Sequence, residues 1–154
     1  FRSYLFLKNH DVRYNCTIID LYDRSVVASI TDRHITSDLA IRTLQKALDL
    51  QPVINDGLIL HSDQGTQYTS KAFTEFCESV KVTQSMSKAG YPYDNAPMER
   101  YFNTLKNECT NLYEFVTEDA LYQKVEEFAY VDYNHVRPHS FNGYRTPYET
   151  RMAA

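Results

Sequence analysis

The stretch Leu58-Ile59-Leu60-His61-Ser62-Asp63-Gln64-Gly65 decides how this chain is read. Three apolar residues in a row carry no alternation. Such a run fits a strand covered on both faces. It ends in a carboxylate, Asp63, with a glycine two residues later. In α/β sheets ligands bind at the carboxyl ends of the strands. Taken alone, Asp63 reads equally as a turn aspartate bonded to its own loop.

Downstream, Ser70 is placed to cap a helix over Lys71 to Val80, and Val82 to Met86 is a further strand. Ser87 to Pro97 holds Gly90, Pro92 and Asn95 and reads as a loop. A helix follows from about Pro97 to Cys109, with Asp94 or Asn95 at its cap and Pro97 in its first turn. At about 100° per residue, Glu99, Asn103 and Lys106 share one face. Met98, Phe102, Leu105 and Cys109 form the neighbouring core stripe. Glu99 therefore sits at the core boundary, in a first turn where the helix dipole also favours an ordinary acid.

Upstream, Tyr4 to Leu7, Arg13 to Tyr22 and Ser25 to Ile30 read as an antiparallel meander, turning at Asn9-His10-Asp11 and Asp23-Arg24. Thr36 or Ser37 caps a helix bearing Ala40, Leu44, Ala47 and Leu48; Pro52 ends it, and Asn55-Asp56-Gly57 is a turn. Beyond Glu99, Thr117 opens a longer helix to about Asn134, stopped by Pro138. The tail to Ala154 is irregular with one short helical piece. Three strands followed by helix–strand alternation predict an α/β fold, a mixed sheet with helices packed on it.

The length, 154 residues, suits one domain of roughly 150 residues. At 43% hydrophobic and 23% charged residues the composition is that of a globular protein, which excludes collagen-like, disordered and disulfide-scaffold classes. No apolar run approaches the roughly 20 residues of a membrane span, and no secretory leader pattern is evident. The formal charge of −4 argues by itself against a general nucleic-acid binder. The acidity is uneven: residues 111–154 carry four basic and seven acidic side chains, whereas residues 81–110 carry four and three. Cys16, Cys77 and Cys109 are read as reduced core thiols of a cytoplasmic protein.

The two acidic segments say more together. Thirty-five residues separate Asp63 from Glu99, and Ser87-Lys88-Ala89-Gly90-Tyr91-Pro92-Tyr93-Asp94-Asn95-Ala96 lies between them. Three further pieces follow the same order: Ile19-Asp20-Leu21-Tyr22-Asp23-Arg24, the run from Glu99 to Lys106, and Tyr133-Asn134-His135-Val136-Arg137-Pro138-His139 with Thr146-Pro147. The pattern resembles the integrase core of bacterial insertion-sequence transposases, relatives of retroviral integrases, and covers essentially the whole chain. The resemblance implies a ribonuclease H-like fold with a mixed five-stranded sheet, three antiparallel strands then two parallel, flanked by helices. It implies DNA cleavage and strand transfer at an Asp–Asp–35–Glu site with two Mg²⁺ (or Mn²⁺) ions. Two such metals activate the attacking oxygen and stabilise the leaving one. Asp63 and Glu99 match the second and third acids as catalytic residues and metal ligands. Lys106 matches a phosphate-contacting position, and Lys88, Asn95, Arg100 and Arg137 are further DNA-binding candidates. Each of these cations could instead be a solvated or ion-paired surface residue.

The pattern departs at its start. Tyr4 aligns with the tyrosine that follows the family's first acid, so that acid is expected at or just before Phe1, where none stands. Asp20 is the nearest substitute, and Asp23 and Asp32 read as solvated turn acids. The expectation is that residues 1–154 are a catalytic core short of its first ligand, with a helix-turn-helix DNA-binding region outside it. Such a chain binds metal weakly and does not cleave DNA. His61 should pack beside Asp63. His135 and His139 have a metal-like spacing, but Pro138 breaks the helix between them. Most tyrosines, such as Tyr14, Tyr22 and Tyr130, are read as burying a ring face. The implied partners are double-stranded DNA and further copies of the chain, without a membrane; the implied location is cytoplasmic, at the nucleoid. Two alternatives stay open: a degenerate, non-catalytic module for DNA contact or assembly, and a ribonuclease H-like nuclease.

Overall fold

A computed structural model of the chain describes residues 3–50 and 57–154. Alternating side chains set the layers. Strands β1 (Ser3–Phe6), β2 (Val12–Ile19) and β3 (Val26–Asp32) form an antiparallel sheet in the order β1-β2-β3. On β2, Cys16 and Ile18 point to one face and Thr17 and Ile19 to the other, as the period of two requires. One face packs on α1 (Ser37–Leu50), α2 (Thr66–Thr69) and α3 (Lys71–Ser79). Leu39, Leu44, Tyr68, Phe73 and Cys77 fill that core. The other face takes Leu5, Leu7 and Val26 against α4 (Ala96–Glu108) and α5 (Glu118–Glu127). There Tyr101, Leu105, Leu121 and Val125 are wholly buried.

The second sheet is β4 (Ile59–Ser62) paired in parallel with β5 (Thr83–Met86), from Ile59 opposite Thr83 to Ser62 opposite Met86. The single five-stranded sheet expected from the resemblance is therefore corrected. Among the described residues the strands form sheets of three and two. The reason is geometric. The described part of β1 pairs only with Val12–Asn15 of β2, and β2 runs on to Ile19. Between that end of β2 and β4 lies a cleft of about 670 Å³, lined by Thr17–Leu21, Leu58–Ser62 and Asp94, Asn95, Pro97 and Met98, among others. β4 is accordingly not covered on both faces, and Ile59 is 64% exposed.

Capping follows the sequence closely. The hydroxyls of Thr36, Ser70 and Thr117 accept amides of the first turns of α1, α3 and α5. Pro52 and the Asn55-Asp56 part of the expected turn lie outside the described residues. The helix expected to run to Asn134 changes character. After Glu127 it continues as a π-helix over Phe128–Val136, whose wider turn lets Asn134 bond both the amide and the carbonyl of Val26 on β3. The tail forms α6 (Pro147–Met152), opened by a full capping box between Thr146 and Glu149.

Two acids expected to be solvated are ion-paired, and one of them is buried. Asp23 is fully buried and accepts Arg151 of α6 at 2.6 Å. Asp32 is held by Arg42. A carboxylate in a turn can stay buried only when a cation reaches it, and α6 brings that cation from 128 residues away. Tyr22, in the same turn, is 62% exposed. All three cysteines are free and buried.

Candidate active site

Three backbone segments meet where β4 ends. The first is the turn after the strand. The Asp63 carboxylate accepts the Gly65 amide at 2.8 Å. A Cβ on Gly65 would stand 2.9 Å from the Asp63 Oδ1 and 2.7 Å from the Gln67 side-chain nitrogen. A larger residue would have to push the carboxylate or the buried Gln67 side chain aside.

The second segment is Ser87, just past β5. This buried serine donates its amide to the Ser62 carbonyl at 2.9 Å, and its carbonyl accepts the Gln64 side chain at 3.0 Å. Its hydroxyl lies 3.0 Å from His61 Nε2 and accepts Asn95 Nδ2 at 2.7 Å. His61 Nδ1 is 2.9 Å from the Ser85 hydroxyl. The third segment is the start of α4, where Asn95 is the N-cap residue and Glu99 sits in the first turn. One serine hydroxyl thus ties the helix that carries Glu99 to the strand that presents Asp63. Pro97 occupies the first turn of α4, where a missing amide costs nothing. The cleft between β2 and β4 opens beside these segments, with Asp20, His61, Ser62 and Asn95 in its wall.

Asp63 and Glu99 carry hard oxygen donors of the kind Mg²⁺ prefers. Among the described residues, however, no three His, Cys, Asp or Glu side chains form a group able to hold a metal ion. The described residues match such an ion in donor type and fall short of a closed ligand set. Asp20 does not complete it. One of its oxygens accepts the Tyr22 amide at 2.8 Å, and the other accepts Arg151 at 3.1 Å.

The cations divide into two groups. Arg137 donates to both oxygens of Glu108, at 2.8 and 3.0 Å, and the carboxylate raises its pKa. Lys88, Arg100 and Lys106 make no ion pair among the described residues. The two histidines of the tail do not converge. His135 packs on Tyr148, and buried His139 packs edge-on against Tyr133. Burial, then the nearby Arg137 charge, lowers the His139 pKa. Sequence reasoning offered Asp63, Glu99 and His61 as candidates. It missed Ser87 as the hub, although a serine closing β5 beside a glycine-containing loop was the available signal.

Comparison with known families decides the assignment. A family model described as "Integrase core domain" matches residues 4–92. The chain belongs to the integrase core domain family. A second integrase core model matches residues 80–147. Together the two span residues 4–147 of this integrase core, from β1 through β4, β5 and α4 to the start of α6. Among sequence relatives, the transposase for insertion sequence element IS904 of Lactococcus lactis is 36% identical over 137 residues, which are 87% of this chain and 53% of the relative. An insertion element IS600 31 kDa protein of Shigella sonnei is 36% identical over 136 residues, 87% of this chain and 49% of the relative. The transposase InsF for IS3A of Escherichia coli is 33% identical over 134 residues, 87% and 46%. The integrase core thus spans about half the length of the curated relatives it matches. Among solved structures, a simian T-cell lymphotropic virus intasome matches with a TM-score of 0.78 at 18% identity, covering 97% of this chain and 51% of that one. The HTLV-2 integrase catalytic core domain in complex with magnesium matches with a TM-score of 0.71 at 18% identity, covering 97% and 91%. These two structures show the fold.

Proposed function

We propose that this integrase core serves DNA transposition, as the part of a transposase that cleaves and joins DNA phosphodiesters with a divalent metal. The observation that carries the reading is the Ser87 link, which fixes the Glu99 helix to the end of the Asp63 strand. Asp63 and Glu99 are the proposed metal-binding carboxylates. Mg²⁺ or Mn²⁺ bound there would supply Lewis-acid activation of the attacking and leaving oxygens. The chain's own residues have separate tasks. Gly65 lets Asp63 turn back on its loop, and Asn95 holds the start of α4. Lys88, Arg100 and Lys106 offer positive charge to DNA phosphates. Arg137, held by Glu108, supports that surface from the tail. Assembly as a homo-oligomer on double-stranded DNA, in the cytoplasm, belongs to the same proposal.

With two proposed ligands among the described residues, the 154-residue chain is expected to bind metal weakly and to leave DNA uncut. Mn²⁺ binding followed by electron paramagnetic resonance tests the site. Weak binding should drop at least severalfold in both Asp63→Asn and Glu99→Gln. Binding indifferent to both substitutions removes the proposed site. Mn²⁺-dependent nicking of an element-end duplex by the purified chain overturns the expected inactivity. In the full-length protein the same two substitutions should abolish transposition; transposition that survives them favours a non-catalytic DNA-contact or assembly module.

A further inference from the structure

Among the described residues, three arginines lack a carboxylate partner. Arg13, Arg33, Arg42, Arg137 and Arg151 are all ion-paired. Arg24 of the β2–β3 turn, Arg100 of α4 and Arg145 of the tail are not. In a chain of net charge −4, arginines without an ion pair stand out.

Arg24 is the best defined of the three. Its backbone is left-handed, with φ of 63°, and its amide donates to the Asp20 carbonyl at 2.8 Å. Its guanidinium lies 3.9 Å from the centre of the Phe141 ring. A cation–π contact holds a guanidinium in place without neutralising it. The planar fork keeps its donors for a bidentate oxyanion partner. The turn itself cannot drift, because Asn142, next to Phe141, donates to the Asp23 carbonyl at 2.7 Å. Burial and then the charge of nearby Arg100 lower the Arg24 pKa, against opposing effects that include the Asp20 carboxylate. Arg100 also directly follows Glu99, so the pair borders the candidate active site.

We propose that Arg24, oriented by Phe141, and Arg100 together grip the phosphodiester backbone of a DNA strand as it passes the Glu99 side of the active site. This rests on the DNA reading above and adds the β2–β3 turn and the tail to the contact surface. The tail motif then has two tasks: it locks the turn and it aims one of the turn's cations. Phe141 is a positioning residue in this scheme. It touches Arg24 rather than DNA.

The test is duplex binding by the 154-residue chain, measured by fluorescence anisotropy at several salt concentrations. Each phosphate contact contributes about 0.9 to the slope of log K against log salt. Arg24→Gln and Arg100→Gln should each lower that slope by about one, and the double variant by about two, without sequence preference. Phe141→Ala should reproduce the Arg24→Gln loss, and Phe141→Tyr should restore the slope; a merely structural role would not track the salt slope. Lys81→Gln, at a cation of the α3–β5 turn with no ion pair among the described residues, should leave the slope unchanged, and melting curves keep misfolded variants out of the comparison. A salt slope left unchanged in the double variant overturns the arginine grip and leaves the DNA reading standing. No salt-sensitive binding by the unsubstituted chain overturns both.

Discussion

Asp23 shows how one residue can commit a distant element. Its side chain is 1% exposed, and Arg151 reaches it from α6 while also touching Asp20 and Ser25. Removing one partner of a buried pair strands the other charge, at a cost of roughly 3–5 kcal/mol. Arg151→Met should therefore lose about 3 kcal/mol in urea unfolding, and adding Asp23→Asn should recover part of it. An additive double variant would mean the pair is not coupled. Glu118 makes the pH-dependent counterpart. Hydrogen bonds from Arg33 and then Arg13 hold its pKa down to about 2, against an ordinary 4.5. The folded state keeps this carboxylate ionised where the unfolded chain protonates it. The stabilisation is thus complete above about pH 4.5 and disappears as pH falls towards about 2. Glu118→Gln should lower the melting temperature at neutral pH, and the gap to the parent chain should close across that window.

At the scale of elements, the short helices depend on their ends. Helix α6 has six residues, too few to be stable alone, and its capping box satisfies two orphan amides. Thr146→Ala should cost about 1 kcal/mol in chemical unfolding. Because α6 carries Arg151, amide exchange should also quicken at Ser25, whose own side chain Arg151 bonds. Exchange confined to residues 146–153 would show the two elements to be independent. The β2–β3 pair carries a buried polar ladder on the face opposite Cys16. Asn15 bonds Ser29 and Thr31, and Thr17 bonds Asn15 and Ser29. Tyr130 of the π-helix then reaches the Ser29 amide at 2.9 Å. Such a network specifies register, since a one-residue slip would bury every one of these groups unpaired.

Across the whole molecule, acid should loosen the tail before it unfolds the rest. His139 is buried with its Nε2 unpartnered, and burial lowers its pKa below 6.5. The unfolded chain takes up a proton first, so stability falls once the pH drops below about 6.5. His139→Gln should flatten the fall in melting temperature that begins below about pH 6.5; an unchanged profile there would exclude His139 as its source. The same segment joins the tail to the site. Tyr133 packs on both His139 and Tyr101, and Tyr101 lies two residues from Glu99 on α4.

Order and identity were legible without coordinates. The apolar run before Asp63, the Asp63–Glu99 interval, the caps at Ser70 and Thr117 and the core stripe of α4 all depend on near neighbours or on helical spacing. Those quantities are local, and a sequence records them directly. What only the tertiary structure decided was long-range: that Ser87 joins His61 to Asn95, that Asp23 is buried because Arg151 arrives, that Arg137 is bound by Glu108, and that β4 borders a cleft. The partners in each case are set by packing across many tens of residues. A charged side chain looks the same in a sequence whether it meets water, a counter-ion or a strand of DNA; only the folded surroundings separate these fates.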